Sequence, residues 1–134
     1  MATDLDRSLA FYTELLGLRI GGRSLNQDPE QDRLDGLTGC VVDVVALQPV
    51  DRPTPHLELL HYRSPPSAAP IPSPKANDVA SVRQVYRVDN LDALVSQLTL
   101  ADAPFVSHGL VAFANGVHGA AIRDPDGHMI VLLD

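Results

Sequence analysis

In this chain the residues able to do acid–base or metal chemistry are 17 acidic side chains and five histidines, and two of them stand in a spacing that matters. In the segment His56-Leu57-Glu58-Leu59-Leu60-His61-Tyr62, an extended backbone with period two puts His56, Glu58, Leu60 and Tyr62 on one face and Leu57, Leu59 and His61 on the other. A neutral imidazole and a carboxylate two residues apart can both ligate a divalent ion, but a centre needs a third convergent donor. His118, after Asn115-Gly116, or His128, after Asp124-Pro125-Asp126-Gly127, would have to supply it. The trio His56, Glu58 and His118 is therefore the alternative metal set, and the plainer reading leaves His118 and His128 as turn-flanking surface residues. Tyr62 and Tyr86 can offer hydroxyls, although half-buried strand tyrosines mostly serve packing. The single Cys40 gives no disulfide and no Cys-based zinc site within one chain, and reads as a small core residue.

The elements that must position these groups follow from periodicity and caps. Leu5, Leu9, Tyr12, Leu15 and Leu16 recur at helical spacing, Asp4 or Asp6 can cap the start, and Gly17 ends the helix. Leu18 to Arg23 predicts a strand, and the polar stretch Ser24 to Gly36 predicts a surface loop. Strands are expected over Thr38 to Gln48 and Pro55 to Tyr62, with Asp51-Arg52-Pro53-Thr54 as the turn between them. Val82 to Val88 predicts another strand, Asp89-Asn90 caps a helix from Leu91 to Leu98, and Phe105-Val106 and Leu110 to Phe113 predict short strands. The chain closes on a hairpin. Asp124 can bond back to the turn backbone, Pro125 presets φ, Gly127 accepts the left-handed conformation, and the apolar run Met129 to Leu133 forms a buried final strand against Gly119 to Ile122.

With 134 residues, 45% hydrophobic and 20% charged, one globular domain is expected. A formal net charge of −7 argues against nucleic acid or an anionic membrane as partner. No apolar run approaches the roughly 20 residues of a membrane span, and none has the form of a signal peptide, so a cytoplasmic protein is expected. With no Trp and only three Tyr and three Phe, a ligand pocket would be lined mainly by aliphatic side chains. Ser64 to Pro74 is rich in Pro and Ser and predicts an extended linker, dividing the chain into module one (1–63), a linker (64–78) and module two (79–134). The order after the linker is strand, helix and three strands; before it, helix and three strands. The helix starts Asp4-Leu5-Asp6 and Asn90-Leu91-Asp92 even match, so the chain reads as an internal repeat whose first copy lacks its opening strand. A module without that strand exposes a sheet edge, which leads us to expect a homodimer.

This duplicated pattern resembles the vicinal oxygen chelate superfamily, which includes glyoxalase I, bleomycin-resistance proteins and extradiol dioxygenases. The resembling residues are Asp4 to Tyr12 with Leu15-Leu16-Gly17-Leu18, His56 to Tyr62, Tyr86 to Ala93, and Asp124 to His128. The resemblance implies an α+β fold of tandem βαβββ modules whose cupped mixed sheet surrounds a cavity. That cavity would be lined here by His56, Glu58, Leu60, Tyr62, Arg83, Val85 and Val131. In metal-dependent members, His and Glu ligands from the first and later strands of each module converge there. Carried over residue by residue, the first position has no counterpart, the second is Glu58, the third is Arg83 and the fourth is Val131. Arginine offers only donors and valine offers nothing, so no cofactor is expected.

The leading expectation is a protein that binds a small organic molecule without metal. The alternative is a lyase, isomerase or dioxygenase in which Glu58 is the base, aided by Arg83 holding an anion, or in which Glu58 is a metal ligand. Glu58 and Arg83 are expected to form a buried ion pair where the metal would sit, unless they reach solvent at the cavity mouth.

Overall fold

The computed structural model describes residues 1–52, 54, 56–66, 74–79 and 81–134. The chain forms two compact units, Met1–Pro70 and Ile71–Asp134, each a mixed α+β unit built on its own sheet. Most of the Pro-rich segment expected to be a linker lies outside the described residues.

In the first unit, α1 (Leu5–Ala10) is capped by Asp4, whose carboxylate accepts from Arg7 N–H at 3.0 Å. The helix then widens into a single π turn over Phe11–Leu15, closed by Leu16 N–H to Phe11 O at 3.2 Å, and Gly17 ends it with φ 71. The widened turn changes which side chains face inward. Ser8, Leu9, Phe11 and Tyr12 are buried, whereas Leu5, Leu15 and Leu16 of the expected stripe are only half-buried. The strands β1 (Arg19–Asn26), β2 (Val41–Gln48) and β3 (Leu57–Ser64) pair antiparallel in that order. Between β1 and β2, where the polar sequence predicts only a loop, the chain makes α2 (Pro29–Asp35). Asp28 caps it through Gln31 N–H at 2.9 Å, Pro29 opens the first turn, and Gly36 closes it in the left-handed region at φ 66.

In the second unit, β4 (Arg83–Arg87) runs parallel to β7 (Met129–Leu133), and α3 (Leu91–Leu100) lies against β6 (His118–Arg123). The sheet order is β4-β7-β6-β5, with β5 only Val111–Ala112. Phe105-Val106, expected as a strand, contributes a single bridge from Phe105 to Ile122. The closing turn forms as its residue types dictate. Asp124 Oδ1 accepts from Asp126 N–H at 3.0 Å and His128 N–H at 2.8 Å, and Gly127 has φ 90.

The two units repeat one plan. Val88 N–H donates to Leu133 O at 2.8 Å, and in the first unit Ala2 N–H donates to Leu60 O at 2.8 Å. Ala2 is buried, and its carbonyl accepts from His61 Nδ1 at 3.0 Å. Ala2 thus stands beside β3 as Val88 stands beside the end of β7. In both copies an Asp or Asn two residues further on caps the helix.

Candidate functional site

Antiparallel pairing sorts the first sheet into two faces, because directly opposed residues share a side. Val45 pairs with Leu59 and Leu47 with Leu57; Val45, Leu47 and Leu59 are at most 5% exposed, so this is the packed face. The other face carries the rows Gly22–Ala46–Glu58, Ser24–Val44–Leu60 and Asn26–Val42–Tyr62. Its floor is aliphatic and reachable by solvent at Val44, Ala46 and Leu60, and a side chain added at Gly22 would meet only open space. Period two thus places His56, Glu58, Leu60 and Tyr62 along one side of β3, as the spacing alone predicts.

At one end of that face stands Glu58. Its Oε1 lies 3.4 Å from His56 Nε2, and the two side chains are 52% and 44% exposed. The expectation of a buried Glu58–Arg83 pair is therefore corrected on both sides: Glu58 is half in water beside His56, and Arg83 is exposed and donates from Nη2 to Ala76 O at 3.3 Å. Water keeps each of these charges solvated where it stands.

At the opposite end α2 reaches Tyr62, and Val42 in the same row is buried. Tyr62 Oη donates to Asp35 Oδ2 at 2.8 Å, and Gln31 Nε2 donates to the same oxygen at 2.7 Å. Asn26 Nδ2 donates to Gln31 Oε1 at 2.9 Å, and Ser24 Oγ donates to Asn26 Oδ1 at 3.1 Å. The chain Ser24–Asn26–Gln31–Asp35–Tyr62 fastens the helix to the sheet, and Gln31 within it is 8% exposed. The hydrogen bond to Asp35, reinforced by burial, pushes the Tyr62 phenol up to about 12. Asp32 holds the other side of α2 down, accepting from Cys40 N–H at 2.7 Å and Gly39 N–H at 2.8 Å, which lowers its own pKa. Cys40 is buried beneath, and burial first, then Asp32, raises its thiol pKa. The sequence reading misses Asp35 and Gln31, although Asp28-Pro29 and Gly36 mark the helix that delivers them.

In the second unit, Ile130 and Leu132 of β7 and Ala120 and Ile122 of β6 are buried, which fixes the packed face. Register then puts Gln84 and Tyr86 on that side and Arg83, Val85 and Arg87 on the other, in line with Val131 and Ala121. Val85 is 57% exposed and Val131 half-buried. Tyr86 does not join them: its hydroxyl donates to Gln84 Oε1 at 2.6 Å, and burial, with the Asp124 charge second, pushes its pKa up to about 12. His118 is the first residue of β6 and not part of a turn. Its Nδ1 donates to Asp134 Oδ2 at 2.9 Å, while its N–H bonds Asp134 Oδ1, which lowers the Asp134 pKa. His128 is exposed beside the closing turn. Among the described residues, no three His, Cys, Asp or Glu side chains are grouped to hold a metal ion.

The sequence pattern of the Glyoxalase/Bleomycin resistance protein/Dioxygenase superfamily matches residues 1–132. The chain belongs to this superfamily. Among solved structures, this superfamily member is similar to a glyoxalase family protein from Bacillus cereus, with 27% identity, TM-score 0.85, and 97% of this chain and 85% of that one covered. It is also similar to the trypanothione-dependent glyoxalase I of Leishmania major, with 26% identity, TM-score 0.67, and coverage of 99% and 80%. A lactoylglutathione lyase from Agrobacterium tumefaciens, at 22% identity and TM-score 0.53 over 98% of this chain and 86% of that one, shares the fold. No curated protein sequence matches the chain.

The positions where the resemblance places metal ligands do not fit a metal here. Glu58 supplies one carboxylate, Arg83 is a permanent cation, and Val131 sits between Val85 and Ala121 in an apolar row.

Proposed function

We propose that this superfamily member binds a small, largely apolar organic molecule on the half-open faces of its sheets, without a divalent ion at the positions of Glu58, Arg83 and Val131. The observation that carries the reading is the face of the first unit. It has a solvent-reachable aliphatic floor at Val44, Ala46 and Leu60, closed at one end by the α2 wall and edged by Glu58 at the other. An apolar floor with a few fixed polar groups is how small-molecule sites give affinity and orientation together. Val85 and Val131 offer a second patch of the same character in the other unit. Shape and burial drive such binding, so removal of metal leaves it intact. Thermal-shift titration with a panel of small amphipathic molecules, before and after exhaustive chelation, tests this. Ligand-induced stabilisation that vanishes on chelation and returns with one divalent ion refutes it.

A second reading is favoured by the exposed Glu58 carboxylate beside His56. There Glu58 removes a proton next to a carbonyl of a molecule held on the face of the first unit. Turnover of a small carbonyl substrate that is lost in Glu58→Gln at unchanged melting temperature supports that reading over simple binding. We also propose a homodimer, supported by the edge position of β4 and by Val79, Val82 and Val85, which are 99%, 78% and 57% exposed. Sedimentation showing only monomer at high micromolar concentration overturns it.

A further inference from the structure

We infer that the open face of the first unit takes an organic cation with an aliphatic body, and that Asp35 of α2 is the residue that selects it. The inference rests on the binding reading above and adds the chemical class of the ligand.

The charges on that face are unbalanced in a specific way. Asp35 is half-buried, and its described partners, the Tyr62 hydroxyl and the Gln31 amide, are both neutral and both on Oδ2. Two neutral donors orient the carboxylate without cancelling its charge, and Oδ1 is left for another donor. Glu58 follows on the same face of the same strand, four residues from Tyr62, or roughly 13 Å at strand rise. Its contact with His56, at 3.4 Å, is long for a hydrogen bond. Between the two carboxylates lie Val44, Leu60, Ala46 and the bare backbone of Gly22, with Ser24 as the polar exception. Among the described strand residues on this face, the cation is Arg19, opposite Gln48 and one row beyond Glu58, away from Asp35, while Arg33 of α2 pairs with Glu30.

Three kinds of ligand would fare differently here. An anion would meet a carboxylate at each end of the floor and be repelled. A neutral apolar molecule would cover the floor but strip water from Asp35 with nothing in return, which is costly. An aliphatic chain bearing an ammonium or guanidinium group covers the same floor and gives Asp35 a charged donor. A second positive or donor group at the far end reaches Glu58. The helix missing from the sequence reading thus sets the selectivity, because it carries the carboxylate that the sheet itself lacks at that end.

Hexylamine, spermidine, hexanol and hexanoate serve as matched probes, with binding followed by calorimetry and by thermal shift on the full chain. Hexylamine should bind about tenfold more tightly than hexanol, as a charge-assisted hydrogen bond in a half-buried site implies, and hexanoate should not register. Added salt should weaken the amines and leave hexanol unchanged. Asp35→Asn should lower hexylamine affinity about tenfold while sparing hexanol, and Glu58→Gln should weaken spermidine more than hexylamine. Hexanol or hexanoate binding as tightly as hexylamine overturns the cationic class but leaves the binding reading standing. Loss of hexanol and hexylamine alike in Asp35→Asn overturns the selective role of α2. Absence of binding by every probe at millimolar concentration overturns both the inference and the reading beneath it.

Discussion

Replacing Tyr62 by Phe removes one hydroxyl and nothing else from the junction of α2 with the sheet, so its effect can be worked out from the contacts. The bond lost is a 2.8 Å donation to a carboxylate. Hydrogen bonds to charged groups contribute about 1.5–3 kcal/mol. Asp35 keeps the Gln31 amide and part of its hydration, so the lower end applies, and the expected loss is about 1–1.5 kcal/mol. Unfolding entropy is roughly 2.1 cal/mol/K per residue, or about 0.28 kcal/mol/K for 134 residues, which converts the loss to about 4–5 °C in Tm. Calorimetry of Tyr62→Phe, Asp35→Asn and the double variant measures it, and the double variant should recover most of the second single loss because the two groups act on each other. The phenol gives an independent readout. Tyr62 ionises at about 12, so its neutral form contributes stability that is complete below about 10 and is lost as pH rises through the folded value. In Asp35→Asn that ionisation should fall toward 10, while Tyr86, raised first by burial, stays near 12. A Tyr62→Phe variant melting within a degree of the parent, with the two losses simply additive, refutes the wall as described.

The acid side has the opposite sign. Asp32, Asp43 and Asp134 all have lowered pKa values, through the Cys40 and Gly39 amides, the Arg63 guanidinium and the His118 amide respectively. Their contribution is present above about pH 4 and lost as pH falls through their folded values, so Tm should hold from neutral to about pH 5 and decline below about 4, as a pH series of melting curves will show. Asp28→Ala removes the cap of α2 and should cost about 1 kcal/mol in chemical denaturation, with proteolysis beginning between β1 and β2. Ile122→Ala, at a fully buried site near the end of β6, should cost about 2–4 kcal/mol by the same measurement and leave the hexylamine preference intact.

What could be read without coordinates is what a few residues decide locally. The closing hairpin is legible because Asp124, Pro125 and Gly127 each have one physical role there, and the repeat is legible because Asp4 and Asn90 cap helices in the same way. The β3 face follows from period two. The helix α2 is hidden because it has no apolar stripe: Leu34, its one large aliphatic side chain, is 81% exposed, and only the end signals betray it. The π turn is equally hidden, since nothing in Phe11 or Tyr12 announces the extra residue that brings both inward. Parity alone leaves either side of β4 free to face the patch, and only register against the buried Ile130 and Leu132 chooses Arg83 and Val85. Leu110 and Phe113 are apolar enough for strand, yet at 36% and 50% exposure they have little packing to hold them in one. Asp35 and Gln31 reach the site only once α2 has folded back on β3, a long-range event that no local pattern encodes.

The two units solve the same connection differently. Where the first spans from β1 to β2 with a capped helix, the second passes from β5 to β6 by a tight reversal at Asn115-Gly116. The sheets can therefore stay fixed while one excursion, residues 27–40, is rewritten, lengthened or exchanged. Natural variation in ligand preference among close homologues should accumulate in that excursion, and a graft of it into the second unit is the most economical way to build a new recognition surface on this scaffold.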